Sequence, residues 1–404
     1  MATPAGFQAL PLPLVQLSLA AVLKCGQSFR WSILPLPKPS DPTIPAQEYR
    51  LCLRDRVVCL QQSQTALFYR SAFPEPQPSP TQLQLREAET LLWLNDYFQL
   101  NIDLPKLYDE WAARDSVFSG VKERFGGIRM LRQDPWENLI SFICSSNNNI
   151  SRITKMVQSL CTQYSPALLS LPDLSGHETH SYHPFPPPSS LAAPSVTVTL
   201  RSLGFGYRAE YIQKTAKMLV DVHGTIEEGR EPSELWLESL RGLATAEART
   251  ELLKFIGVGR KVADCVLLMS LDKKEVIPVD THVHQIAIKH YGFKGLLKGK
   301  SPMTPKLYEE VNSKLVRIWG DYAGWAHSVL FTSDLKSFAS YSVQNPTPSA
   351  PVKSSKRSNL ESLLPTPPTT PSPSPLKRKA SASPPESSDK SAGLADRMKR
   401  LRRK

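Results

Sequence analysis

Two glycines two positions apart, set between two apolar helical runs, constrain this chain more than any other feature. Residues 252–271 read L-L-K-F-I-G-V-G-R-K-V-A-D-C-V-L-L-M-S-L. One helix ends, a tight G-V-G turn follows, and a second helix begins at Arg260. Gly257 and Gly259 let the backbone approach a ligand closely and adopt positive φ. The second helix offers unpaired N–H groups and the positive end of its dipole, which suits a phosphate. Taken alone, the pattern also fits an ordinary tight turn. Lys261 narrows the reading. It lies in the first helical turn, where a cation is electrostatically misplaced. The same field disfavours the ammonium and helps a neutral, nucleophilic amine. Helical spacing predicts Asp264 and Cys265 on the face of Lys261. Nineteen residues on, P-V-D-T-H-V-H places Asp280 after an apolar run and before a helix, an N-cap position. Capping is the plain reading; a carboxylate beside a developing positive charge is the chemical one.

The rest of the chain gives the hairpin its setting. A length of 404 residues holds two or three domains, and 41% hydrophobic residues supply a core. No apolar run reaches 18 residues, so no membrane partner is expected. Residues 10–23 are apolar, but prolines interrupt them and no basic region precedes them, unlike a secretory signal. Short β-branched and aromatic runs at 49–53, 57–60 and 66–70 predict strands. From Leu104 the period becomes helical. Asp134 is predicted as an N-cap with Pro135 at the first helical position. Leu139, Ile140, Ile143 and Cys144 then share a face, as do Ile153, Met156, Val157 and Leu160. Further helices are predicted over 211–220, 232–240, 246–255, 260–271, 281–291, 304–319 and 322–336. The fold class is therefore α+β. An N-terminal antiparallel twisted β-sheet domain over 1–103 precedes an all-α domain over 104–340.

Two segments fall outside this pattern. Residues 173–195 are rich in Pro, Ser and His and read as a flexible surface insertion. Their His177, His180 and His183 are read as solvated side chains, not as metal ligands. Residues 345–404 are Pro/Ser/Thr-rich and read as a disordered basic tail. They hold 13 of the 49 basic and 4 of the 37 acidic residues, so nine of the net +12 lie there. A positive balance suits a polyanion. Residues 377–379 and the cluster from Arg397 to Lys404 read as nuclear-localisation runs or phosphate contacts. A nuclear location is expected; the N-terminus, poor in basic residues, supports a mitochondrial one weakly. Six cysteines without C-x-x-C spacing read as reduced core thiols.

A hairpin lysine followed by an Asp after P-V is the signature of the bifunctional helix-hairpin-helix DNA glycosylases, which this chain resembles. Four further stretches resemble the 8-oxoguanine DNA glycosylase/AP lyases among them. They are C-G-Q-S-F-R-W (25–31), F-I-C-S-S-N-N-N-I-S-R (142–152), L-G-F-G-Y-R-A (203–209) and Y-A-G-W-A-H-S-V-L-F (322–331). The resemblance covers roughly residues 15–340 in the family's order. It implies that damaged double-stranded DNA is the partner and that the lesion is extruded before chemistry. Asn147 would fill the vacated space, with Tyr207 wedged beside it. Arg152 and Arg208 would donate to the orphaned cytosine. The Gly26 carbonyl would read N7–H, the donor that separates the oxidised base from guanine. Phe331 and Cys265 would flank the base. His282, oriented by Asp334, would meet one phosphate, and the N–H groups of Gly257, Gly259 and Val262 another. Lys261 would attack C1′ and form a Schiff base, with Asp280 stabilising the cationic sugar. The resemblance implies no metal or organic cofactor, and some relatives' iron–sulfur cysteines have no counterpart after Cys265. A monomer is expected.

Two departures stand out. Ile256 occupies the place of the family's usual proline. His327 stands where animal members have a glutamine that pairs with the base. A neutral imidazole offers one donor and one acceptor in a different geometry, and predicts pH dependence near pH 6–7. A glycosylase of different base scope therefore stays open, as does a non-catalytic DNA-binding module of the same form.

Overall fold

A computed structural model describes residues 3–36, 45–174, 176, 178–226, 229–294 and 303–341. The basic segment 345–404 and His177 lie outside the described residues. Five strands, β1 (Gln8–Pro11), β2 (Ser32–Pro35), β3 (Gln47–Cys52), β4 (Val57–Gln62) and β5 (Ala66–Ala72), form one antiparallel sheet in the order β1-β5-β4-β3-β2. The helices of the first half are α1 (Leu19–Val22), α2 (Pro80–Tyr97), α3 (Leu104–Arg114), α4 (Ser116–Lys122), α5 (Pro135–Ser145), α6 (Ile150–Tyr164), α7 (Pro188–Ala192) and α8 (Ser195–Ser202). Those of the second half are α9 (Arg208–His223), α10 (Pro232–Ser239), α11 (Thr245–Leu252), α12 (Arg260–Ser270), α13 (Thr281–Tyr291), α14 (Pro305–Trp319) and α15 (Ala323–Asp334).

Helix starts follow local chemistry. Asp134 caps α5 by accepting the Glu137 N–H at 2.9 Å, with Pro135 at the first position. Asn149 caps α6, Thr304 caps α14 and Asp280 caps α13 in the same way. The core runs unbroken across residues 103 and 104. Tyr97 and Phe98 bury together with Leu104, Trp111 and the sheet residues Tyr49, Val58 and Leu60.

The reading of 173–195 as a surface insertion is corrected. Strands β6 (Leu169–Pro172) and β7 (Thr179–Tyr182) pair as a hairpin, and α7 follows. Val58, Leu60 and Leu51 face the main core, whereas Cys52, Val57 and Cys59 face the other way, where Tyr182, Leu169 and Leu171 cover them. Arg50, on that second face, donates to the Pro172 carbonyl at 2.8 Å and pairs with Glu48 at 2.6 Å. The segment also buries Leu191 and accepts the indole N–H of Trp136 at the Pro186 carbonyl. A sheet buried on both faces needs a second layer, and this segment is that layer.

Candidate active site

Residue by residue, the site grows from the turn between α11 and α12. Gly257 has φ +83°, and an added Cβ there would lie 2.4 Å from the Tyr211 ring. Only glycine fits. Gly259 differs: its φ is −91°, and an added Cβ would meet nothing within 4 Å. Its role is an open approach, not an unusual backbone angle. No side chain caps α12, so the N–H groups at its start, through the buried Val262, are left for another partner.

Lys261, in that first turn, reaches across to α5. Its Nζ donates to Ser145 Oγ at 3.2 Å, sits 4.9 Å above the Phe142 ring and lies against the Cys265 thiol. Burial pushes that thiol up to about 12, keeping it neutral beside the amine. Asp264 does not join Lys261 on its face. It is fully buried and accepts from Arg249 Nε at 2.7 Å and from the Tyr308 hydroxyl at 2.6 Å.

Asp280 accepts the N–H groups of His282 and Val283, both at 2.9 Å and both on Oδ1. Oδ2 carries no hydrogen bond among the described residues. The capping reading and the chemical reading therefore occupy different oxygens of one carboxylate. His282 Nε2 lies 3.3 Å from Asp334 Oδ2, a close approach not aligned as a hydrogen bond. Its ring meets Phe331 edge-on at 4.9 Å. His327, one helical turn before Phe331 on α15, is 8% exposed, and neither ring nitrogen has a partner among the described residues. Burial pulls its imidazole down to about 4; Asp280 opposes that, while His282 and Lys261 add to it. The expected pH dependence near 6–7 is therefore corrected: this ring is neutral throughout that range.

A second cluster adjoins the first. Asn147, two residues beyond Ser145, is exposed at φ +49°, a left-handed conformation that asparagine tolerates. Tyr207, 47% exposed, donates to the Ser146 carbonyl at 3.1 Å. Exposed Arg152 donates to the Gly204 carbonyl at 3.0 Å. Arg208 departs from expectation. It is only 3% exposed, and its guanidinium is committed to the Ser146, Asn147 and Phe205 carbonyls. As placed, it holds the loop, with four of its five guanidinium N–H donors spent on carbonyls.

Gly26 has φ +88° and packs against Ile150 of α6. Its neighbours fix it. The buried Gln27 side chain bonds the Arg129 carbonyl and the Leu131 N–H, each at 2.9 Å, and Cys25 lies against Thr332, next to Phe331. Arg30 pairs with Glu137 at 2.7 Å and donates to the Cys52 carbonyl, tying this turn to α5 and the sheet.

Comparison with known proteins finds two family matches along the chain. Residues 9–139 match the family described as 8-oxoguanine DNA glycosylase, N-terminal domain, and residues 140–314 match the HhH-GPD superfamily of base excision DNA repair proteins. The chain belongs to the 8-oxoguanine branch of the HhH-GPD DNA glycosylases. Among members of this family, it is 38% identical to an N-glycosylase/DNA lyase of Saccharomyces cerevisiae over 60% of this chain and 66% of the yeast protein. It is 43% identical to the N-glycosylase/DNA lyase OGG1 of Arabidopsis thaliana over 60% of this chain and 62% of that one. The match thus spans less than two thirds of either relative. A Clostridium acetobutylicum 8-oxoguanine glycosylase/lyase, solved with duplex DNA containing cytosine opposite 8-oxoguanine, superposes at TM-score 0.58 and 26% identity, covering 78% of this chain and 91% of its own.

Sequence reasoning missed Ser145, Phe142 and Tyr308. The first two lie inside the quoted 142–152 motif, but their motif gave no sign that they face the lysine. Tyr308 belongs to no motif.

Proposed function

We propose that the chain is a bifunctional DNA glycosylase/AP lyase that excises 8-oxoguanine opposite cytosine from duplex DNA, as a monomer acting in the nucleus. One observation carries this reading: the Lys261 amine and the Asp280 carboxylate both lie close enough to act electrostatically on the buried His327 ring, whose nitrogens have no partner among the described residues.

In this reading the lesion leaves the stack and enters between Phe331 and Cys265, with the Gly26 carbonyl accepting its N7–H. Lys261 Nζ attacks C1′. The C1′–N9 bond breaks with its electron pair on the departing base, which takes up a proton. The Asp280 carboxylate stabilises the positive sugar. Opening of the C1′–O4′ bond gives a protonated imine between Lys261 and C1′. Loss of a C2′ proton then expels the 3′ phosphate by β-elimination. The uncapped start of α12 and His282 hold phosphates. Asn147 and Tyr207 fill the gap, and Arg152 reads the orphaned cytosine. Arg208 joins it only after giving up carbonyls of the 146–147 loop.

His327 favours a second reading, a changed base scope within the same chemistry. It puts an imidazole where animal members have an amide.

Borohydride trapping on a duplex with one 8-oxoguanine opposite cytosine tests the assignment. A covalent adduct is expected for the wild type and none for Lys261→Gln. No adduct and no cleavage by wild type would leave only a DNA-binding module; adducts confined to other lesions would establish the changed scope.

A further inference from the structure

The two groups placed at the chemistry sit on different elements, and something must fix the distance between them. Lys261 is in the first turn of α12. Asp280 precedes α13 and is reached by an extended segment from Val276. We infer that Tyr308 of α14 is a positioning residue that braces the lysine helix against the aspartate segment; this rests on the catalytic reading of Lys261 and Asp280.

The geometry is a chain of short bonds through the interior. The Tyr308 hydroxyl donates to Asp264 Oδ2 at 2.6 Å, and Asp264 lies one turn beyond Lys261 on α12. The Tyr308 hydroxyl oxygen in turn accepts the N–H of Val279, the residue before Asp280, at 3.0 Å. A single hydroxyl thus touches the helix of one reacting group and the backbone neighbour of the other. Both ends are anchored further. Arg249 of α11 holds the other oxygen of Asp264 at 2.7 Å, fixing both arms of the hairpin. Asn312, one turn along α14 from Tyr308, donates to the Ile277 carbonyl at 2.9 Å. Tyr308 is 4% exposed, and burial and Asp264 both raise its phenol, so it stays the donor to Asp264. A buried hydrogen-bond network of this kind stiffens what it connects. Catalytic groups are sensitive to displacements well below the size of an atom.

Tyr308→Phe keeps the ring beneath Arg260, which lies 4.8 Å from its centroid, and removes only the hydroxyl. The single-turnover excision rate on the 8-oxoguanine·cytosine duplex is expected to drop about tenfold to a hundredfold. Affinity for a duplex carrying a tetrahydrofuran abasic analogue should stay within about twofold, because neither phosphate contact is touched. The measurement is made at a temperature where circular dichroism reports the variant fully folded. An unchanged rate overturns the brace. So does a rate falling in step with DNA affinity and melting temperature, which is what simple loosening of the core predicts. Asn312→Ala frees only the Ile277 carbonyl and should show the same split at smaller amplitude; it decides the matter if Tyr308→Phe does not fold. Wild type run beside them separates the two claims. An inactive wild type removes the catalytic reading and the brace with it, whereas an active wild type matched by both variants removes the brace alone.

Discussion

A histidine with two unpartnered ring nitrogens is costly to bury, and His327 shows what that cost means for pH. In the unfolded chain its imidazole takes a proton near the ordinary value of about 6.5; in the fold burial holds it neutral to about 4. The unfolded state therefore binds more protons between those values. Stability present above about 6.5 is lost as the pH falls toward 4. His327→Gln should flatten the fall in melting temperature across that window, and an unchanged profile would show that the ring is not the cause. Excision between pH 6 and 8 should carry no step from this residue. The imidazole's identity was legible in the sequence; its titration was not, because burial by Phe331 and the pocket wall is a property of packing. The same limit governs other residues. The places of Lys261 in a first helical turn and of Asp280 at an N-cap were readable because helix starts are encoded locally. The commitment of Arg208 to loop carbonyls was not readable, because a motif names a residue without saying how many of its donors are already spent. Asp264 shared a helical face with Lys261 on paper, but Tyr308 and Arg249 claim its carboxylate.

At the scale of elements, capping chemistry made the helix starts at Pro135, Thr281 and Pro305 predictable, since an Asp or Thr side chain must satisfy N–H groups that the helix leaves open. Strands β3, β4 and β5 were legible as β-branched and aromatic runs, whereas β1 and β2, four residues each and ending in proline, were not. The hairpin of β6 and β7 was not. Its Pro, Ser and His content matches a loop, and its stability comes from the far face of the sheet, which local sequence does not display. Replacing residues 169–182 with a short flexible linker should lower the unfolding free energy by about 3 kcal/mol or more. Cys52, Val57 and Cys59 would lose their cover, and Arg50 would lose its carbonyl partner. Denaturant titration checks this, and a midpoint equal to wild type would return the segment to the status of a loop.

Over the whole molecule, charge is unevenly spread: residues 1–344 carry only three of the twelve net positive charges. On the proposed reading, specific DNA contact within residues 1–344 falls to placed groups, such as the start of α12, rather than to a general positive field. Removal of residues 345–404 should weaken binding to undamaged duplex and reduce its salt slope, with single-turnover excision of the lesion unchanged. A slope that stays the same would mean the basic runs do not meet phosphate. The cysteines have a different reach. All six are buried and unpaired, and burial pushes those at 52, 59, 144, 161 and 265 up to about 12. They stand on the outer sheet face, at the end of α5, within α6 and in the pocket, with Cys25 at the Gly26 turn. An alkylating reagent needs both a thiolate and a path, and the native protein offers neither. The six sulfurs therefore act as a set of buried clocks. Under mild denaturant, the order in which mass spectrometry finds them capped would date the opening of each region, and tell whether the pocket gives way before the sheet does.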